Sequence, residues 1–164
     1  MDEHSADSGE AGLDPADLTE LGLSACWGRL RAGDVGRIAV VNDGRPEIFP
    51  VNYVVDHGTV VFRTADGTKL TAALSGVAVA FESDGYDPES GRAWSVVIKG
   101  QAEEIRRLHE MVDTVDLPLT PWQGSPKPRF VRIVPAVITG RSFAVVDGSA
   151  WNTQLTPVRR AALD

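Results

Sequence analysis

The chain has 164 residues, 43% of them hydrophobic, and a formal net charge of -7, enough apolar residues for the core of one domain. Of its 23 acidic residues, seven fall within positions 1–20, where there is no Lys or Arg, leaving 16 to balance the 16 Lys and Arg of the body. The acidity therefore belongs to the tail, and the body has no basic field of the kind that non-specific nucleic-acid binding needs.

Cys26 is the sole cysteine, so no intrachain disulfide forms, which fits a reducing compartment. No basic segment followed by an apolar stretch opens the chain, so no signal peptide is expected. The longest charge-free apolar run, Leu70 to Phe81, has twelve residues, against the ~20 that a membrane helix requires. The expectation is a cytoplasmic protein with neither a membrane nor a nucleic-acid partner.

Residues 1–12, "MDEHSADSGEAG", are acidic and poor in large apolar side chains, and read as a disordered tail. The domain is expected over residues 13–148, with a C-terminal extension over 149–164. "LSACWGRLRAGD" reads as a short helix capped by Ser24, burying Cys26 and Leu30 on one face and ended by Gly33. "VGRIAVV" then leads as a strand into Asn42-Asp43-Gly44, a hairpin turn signal, because these residues tolerate positive φ. "PEIFPVNYVV" alternates, with Phe49, Val51, Tyr53 and Val55 on one face and Ile48, Pro50, Asn52 and Val54 on the other. Asp56-His57-Gly58 makes a second turn, and "TVVFRT" returns. "TKLTAAL" is a short helix ended by Gly76. "VAVAFES" and "AWSVVIKGQAEEI" are strands, "RRLHEMVDTV" is helical, and "DLPLTPWQGSPKP" is a Pro-rich loop. "RFVRIVPAVITGRSFAVV" supplies the last one or two strands. Six or so mainly antiparallel strands with short helices between them make a mainly β (α+β) fold. A small closed or split β-barrel fits better than a β-sandwich, because helices are inserted between the strands.

The usual catalytic signatures are missing. His4, His57 and His109 lie in a tail, a turn and a helix, and none has a second metal ligand at useful spacing. There is no G-x-S-x-G, no dinucleotide fingerprint and no P-loop. Cys26 on a buried helix face is a poor nucleophile. "VVFRTADGTKL", from Val60 to Leu70, is the stretch that carries chemistry. It gathers Arg63, Thr64, Thr68 and Lys69 around a strand end, a turn and a helix start. Such side chains and free helix N–H groups hold phosphates. A helix start with an incidental solvated lysine is the competing reading. Pro50, Val51 and Asn52 sit on the strand hairpinned to Arg63-Thr64, where a flat ring with hydrogen-bonding edges could lie. Trp94 beside Ser95, and Trp122 in the Pro-rich loop, are further aromatics to place, and core packing is the commoner use of each.

Taken together, "GRIAVVNDGRPEIFPVNYVVDHGTVVFRTADGTKL", "AVAFESD", "WSVVIKGQAEEI", "PW" and "RFVRIVPAVITGRSF" resemble the pyridoxamine 5′-phosphate oxidase-like flavoproteins, over about residues 23 to 145. The combination P-V-N-Y, F-R-T and G-T-K-L in this order carries the resemblance. It implies a split, FMN-binding-like, Greek-key β-barrel that forms a homodimer with FMN at the subunit interface. Lys69 and Thr68 would hold the phosphate, and Arg63 and Thr64 would line the phosphate and ribityl end. The backbone of Pro50, Val51 and Asn52 would run along the isoalloxazine. Trp94, Ser95 and Trp122 would come from the partner subunit. After Phe143 the Arg-x-His pattern of the enzymes that make pyridoxal phosphate is missing, so the implied activity is flavin-dependent hydride transfer to or from another small-molecule substrate. A deazaflavin-dependent reductase, or a protein that binds or stores a flavin without turnover, are the alternatives.

Overall fold

The computed structural model describes residues 18–106 and 129–145. The acidic tail, the segment expected to be helical after Arg106, the Pro-rich loop and the C-terminal extension lie outside the described residues. The elements are β1 (Leu18–Glu20), α1 (Leu23–Ala32), β2 (Val35–Asn42), β3 (Arg45–Asp56), β4 (Thr59–Thr64), α2 (Thr68–Ala73), β5 (Val79–Asp87), β6 (Arg92–Glu104) and β7 (Arg129–Ala144).

Every pairing is antiparallel, in the order β1-β7-β4-β3-β2-β5-β6, and a further β6–β7 ladder closes the sheet into a barrel. β2, β3 and β4 are joined by hairpins, and β5 returns through α2 to lie beside β2. This is the Greek-key arrangement. Both hairpins have two-residue loops, Asp43-Gly44 and His57-Gly58, with φ of 49° and 73° in the first and 44° and 74° in the second. These positive angles are those of a type I′ turn, whose twist matches that of the flanking strands.

The alternation read from the sequence sets the inside of the barrel. Val51 and Tyr53 on β3 are buried, with Phe49 and Val55 packed partly against the same cluster. Ile38, Val60, Phe62, Phe81, Val96, Ile98, Val131 and Ile133 complete the interior. Cys26 and Leu30 bring α1 onto this core, as expected. The N-cap of α1 is Gly22, with no side-chain cap, so Ser24 falls inside the first turn rather than capping it. The last segment forms one strand of 16 residues, not two. Pro135 is accommodated where the register shifts opposite Lys99/Gly100, because a bulge releases the ladder hydrogen bond that proline cannot donate. β1 is an element with no counterpart in the sequence reading. Its three residues pair with Arg141, Ser142 and Phe143.

One buried polar link fixes α1 to the barrel. The Tyr53 hydroxyl donates to the Leu30 carbonyl at 2.8 Å and lies 3.1 Å from the Ser83 hydroxyl, which donates to the Val35 carbonyl at 3.1 Å. The Tyr53 ring meets Phe81 edge-on, with centroids 4.9 Å apart. Tyr53→Phe keeps that packing but leaves the Leu30 carbonyl with only the Gly33 N–H, at 3.3 Å, a loss of about 0.5–1.5 kcal/mol for one net hydrogen bond. Urea unfolding is expected to show a lower midpoint at unchanged slope; an unchanged midpoint would mean that water replaces the hydroxyl.

Candidate functional site

The site expected from "FRTADGTKL" lies where β4 runs into α2. Strand alternation separates the first two side chains. Thr64 turns inward, is 3% exposed, and donates its hydroxyl to the Ala65 carbonyl at 3.2 Å. Arg63 turns outward, and its guanidinium stands over its cross-strand neighbour Phe130, 5.0 Å from the ring centroid, at cation–π distance.

The connecting turn is held in place. Arg129 donates to Asp66 at 3.0 Å and to Glu104 at 2.9 Å, and Arg106 also pairs with Glu104. Two strand ends, β6 and β7, are thereby fastened to the turn that presents α2. Gly67 follows with φ 148° and ψ −172°, a region open only to glycine. It lets the chain swing from the turn directly into the helix. No side chain caps α2, so Thr68 and Lys69 begin it without a competing acceptor from their own neighbours.

Lys69 reaches back over β3, with its Nζ 5.4 Å from the Phe49 ring centroid. The ammonium is therefore placed beside Phe49, the residue before Pro50, and the two stretches singled out in sequence meet here. The β3–β4 ladder runs only from Tyr53–Phe62 to Asp56–Thr59. Phe49, Pro50 and Val51 pair with β2 on one side but lie beyond the β4 register on the other. Here the barrel wall splits, and among the described residues this edge of β3 has no strand partner on the β4 side. Pro50 is exposed, Asn52 is half-buried, and the Val51 side chain is buried in the core, leaving only its backbone for this edge.

Trp94 is 9% exposed and belongs to the interior of its own chain, lying against Gly85 on the paired strand. Arg29 from α1 stands 5.8 Å from its ring. Ser95, one residue on, faces outward from β6 and is half-buried. Trp122 lies outside the described residues. Burial pushes the Cys26 thiol up, away from the reactive thiolate. Two residues that sequence reading passed over, Phe49 and Phe130, carry the cations of the site. Phe49 could have been found from its place next to Pro50, whereas Phe130 is brought to Arg63 only by the β4–β7 register.

The arrangement is thus an antiparallel barrel with a split wall, one lysine held beside that split, and a braced turn leading into a short helix. Residues 23–142 match the family model described as pyridoxamine 5′-phosphate oxidase, and the chain belongs to that family. Its fold is the split β-barrel of the pyridoxamine 5′-phosphate oxidase-like proteins. A candidate pyridoxamine 5′-phosphate oxidase from Corynebacterium glutamicum is 36% identical, with a TM-score of 0.70, over 83% of this chain and 100% of that one. An FAD binding protein from Mycobacterium smegmatis is 38% identical, with a TM-score of 0.68, over 77% of this chain and 99% of that one. The uncharacterized protein Rv0080 of Mycobacterium tuberculosis is 33% identical over 129 residues, which is 76% of this chain and 84% of the relative.

Proposed function

We propose that the protein is a homodimeric flavoprotein in which the phosphate and ring unit common to FMN and FAD binds at the split in the barrel wall. FMN is the form proposed. The observation that carries this reading is the juxtaposition of Lys69 with the Phe49–Pro50 edge of β3. Lys69 and Thr68 receive the phosphate. Arg63 lines the phosphate and ribityl end with its side chain, and Thr64, whose hydroxyl is turned inward, lines it with its backbone. The backbone of Pro50, Val51 and Asn52 runs along the edge of the ring. Ser95 faces the flavin of the partner subunit. Trp94 supports that strand from inside its own barrel, and Trp122 approaches from the partner. The M. smegmatis relative, an FAD binding protein by name, supports a flavin over other planar ligands.

A bound flavin supplies hydride transfer to or from a small molecule. The protein holds the phosphate, keeps one ring edge on fixed backbone dipoles, and leaves the opposite side to the substrate. No acid or base side chain is required of the chain itself.

Absorption spectroscopy of the purified protein, followed by sedimentation, tests the reading. The expected outcome is a flavin's two-band visible spectrum on a species of twice the chain mass. A dimer of this kind buries upwards of ~2,000 Å2 in total. A single deazaflavin band would replace the cofactor assignment, and a colourless monomer that stays colourless after incubation with FMN and FAD would overturn the proposal.

A further inference from the structure

The outer surface of the β6–β7 pair carries a shallow depression of about 310 Å3, lined by Ser95, Val97 and Lys99 from β6 and by Thr139, Gly140 and Arg141 from β7. Ser95 stands directly opposite Arg141, Val97 opposite Thr139, and Lys99 opposite Val137. The pleat turns all the odd-numbered residues of these rungs to the same face. Lys99 and Arg141 are therefore separated by two rungs, roughly 13 Å along the strands. The Thr139 hydroxyl lies on the rung between them, and the Ser95 hydroxyl lies on the rung of Arg141.

Neither cation is locked into an ion pair among the described residues. Among the described residues, Arg37, Arg106, Arg129 and Arg132 each pair with a carboxylate, whereas Lys99 and Arg141 make neither an ion pair nor a hydrogen bond with their side chains. Three acids stand across the sheet: Glu20 on β1, directly opposite Arg141, and Glu82 and Asp84 on β5, opposite Val97 and Ser95. Glu82 and Asp84 are taken by Arg37, at 3.0 and 3.2 Å, whereas Glu20 is exposed beside Arg141 without forming an ion pair with it. Two cations with long reach thus flank hydroxyl groups, with the acids on the β5 side held by Arg37 and Glu20 at the outer border beside Arg141. Charge-assisted hydrogen bonds to phosphate or carboxylate oxygens suit such a site.

We infer that this groove is a second anion subsite, separate from Lys69, which takes a phosphate or carboxylate group of a small-molecule ligand. It rests on the proposed function only through Ser95, which places the bound anion beside the partner subunit's flavin. Two sources share this chemistry: the second phosphate of a dinucleotide flavin, and an anionic group on the substrate.

The test titrates the full-length protein with pyrophosphate and follows backbone amide signals by NMR, with Lys99→Gln, Arg141→Gln and Arg45→Gln beside the wild type. Saturable shifts at Thr139 to Arg141 are expected, with half-saturation raised about tenfold or more in Lys99→Gln and Arg141→Gln and unchanged in Arg45→Gln, which lies on the β2–β3 hairpin. Shifts that never saturate, or that are the same in all four proteins, would overturn the inference. Titrations with FMN and FAD then separate the sources. Loss of FAD affinity with FMN unchanged in the groove variants assigns the anion to the second phosphate of FAD. Both affinities unchanged, with the pyrophosphate effect present, assign it to the substrate. If wild type bound neither flavin, the flavin reading would fall while the pyrophosphate result still stood.

Discussion

Lys69→Met is expected to weaken FMN binding roughly 10- to 100-fold, since a hydrogen bond to a charged group contributes about 1.5–3 kcal/mol and each 1.4 kcal/mol is tenfold. The substitution removes the ammonium and keeps most of the apolar stem that lies toward Phe49, so the barrel should retain its stability. At this half-buried position the aromatic contact contributes between about 0.5 and 2 kcal/mol, which the melting temperature without ligand reads apart from binding. Titrating stripped wild type and variant with FMN, and recording the melting temperature of each without ligand, separates binding from folding. A dissociation constant within about twofold of wild type would place the phosphate elsewhere. The assignments of Thr68, Arg63 and Thr64 would go with it.

Gly100→Ala is expected to be among the most destabilising single substitutions in the chain. A Cβ at this position would stand 2.0 Å from the Val134 carbonyl oxygen and 2.9 Å from its carbon, with the Cα of Pro135 at 3.0 Å. All three are backbone atoms, so no rotamer change can relieve the clash. β6 and β7 would have to part at the bulge, where they close the barrel. Overpacking of a well-fitted interior costs typically 1–3 kcal/mol, and this case belongs at the upper end. For a protein of this size, about 3 kcal/mol lowers the melting temperature by roughly 6–12 °C. Gly28→Ala provides a contrast of opposite sign. Gly28 lies inside α1 with nothing within 4 Å of a new Cβ, and alanine in an exposed helix interior gains about 0.5–1 kcal/mol. Calorimetry of the two variants beside wild type should therefore bracket it. A Gly100→Ala protein melting within about 2 °C of wild type would mean that the two strands meet in another register.

The parts of the fold that were legible in the sequence are those set by local chemistry. Asn42-Asp43-Gly44 and His57-Gly58 declare their hairpins because few residues accept positive φ. The alternation through Phe49, Val51, Tyr53 and Val55 declares which face is core. The features that stayed hidden depend on residues far apart in the chain. β1 exists because three residues find an edge more than a hundred positions away. β7 continues through Pro135 because Gly100 on the opposite strand makes room for a bulge. For the site, the Lys69 and Pro50 stretches were each visible, but their meeting depends on Phe49, which had been read as a core residue alone. Trp94 is the instructive case. Its parity with Val96 and Ile98 put its side chain inside the barrel, the core use that the sequence reading set beside the contact with a second chain implied by the resemblance. Lys99 and Arg141 carried no signal in sequence, since each reads as an ordinary outward charge until the ladder brings their strands together.

The length of β7 has a bearing on how the protein is made. This strand holds β6 along one edge and, in succession, β4 and β1 along the other. Everything needed for the β2-β3-β4 meander and the β5–β6 hairpin has left the ribosome well before Arg129 does. Until then the outer edges of β4 and β6 have no mate. Closure awaits the two ladders of β7, one of which ties Val60 to Ile133. Such non-local pairing is slow relative to hairpin formation, because the entropy of ring closure must be met before any contact repays it. The nascent chain therefore passes through an open, edge-exposed half-barrel, and synthesis of its last strand, rather than its first hairpin, sets the moment at which it becomes a protein safe from self-association.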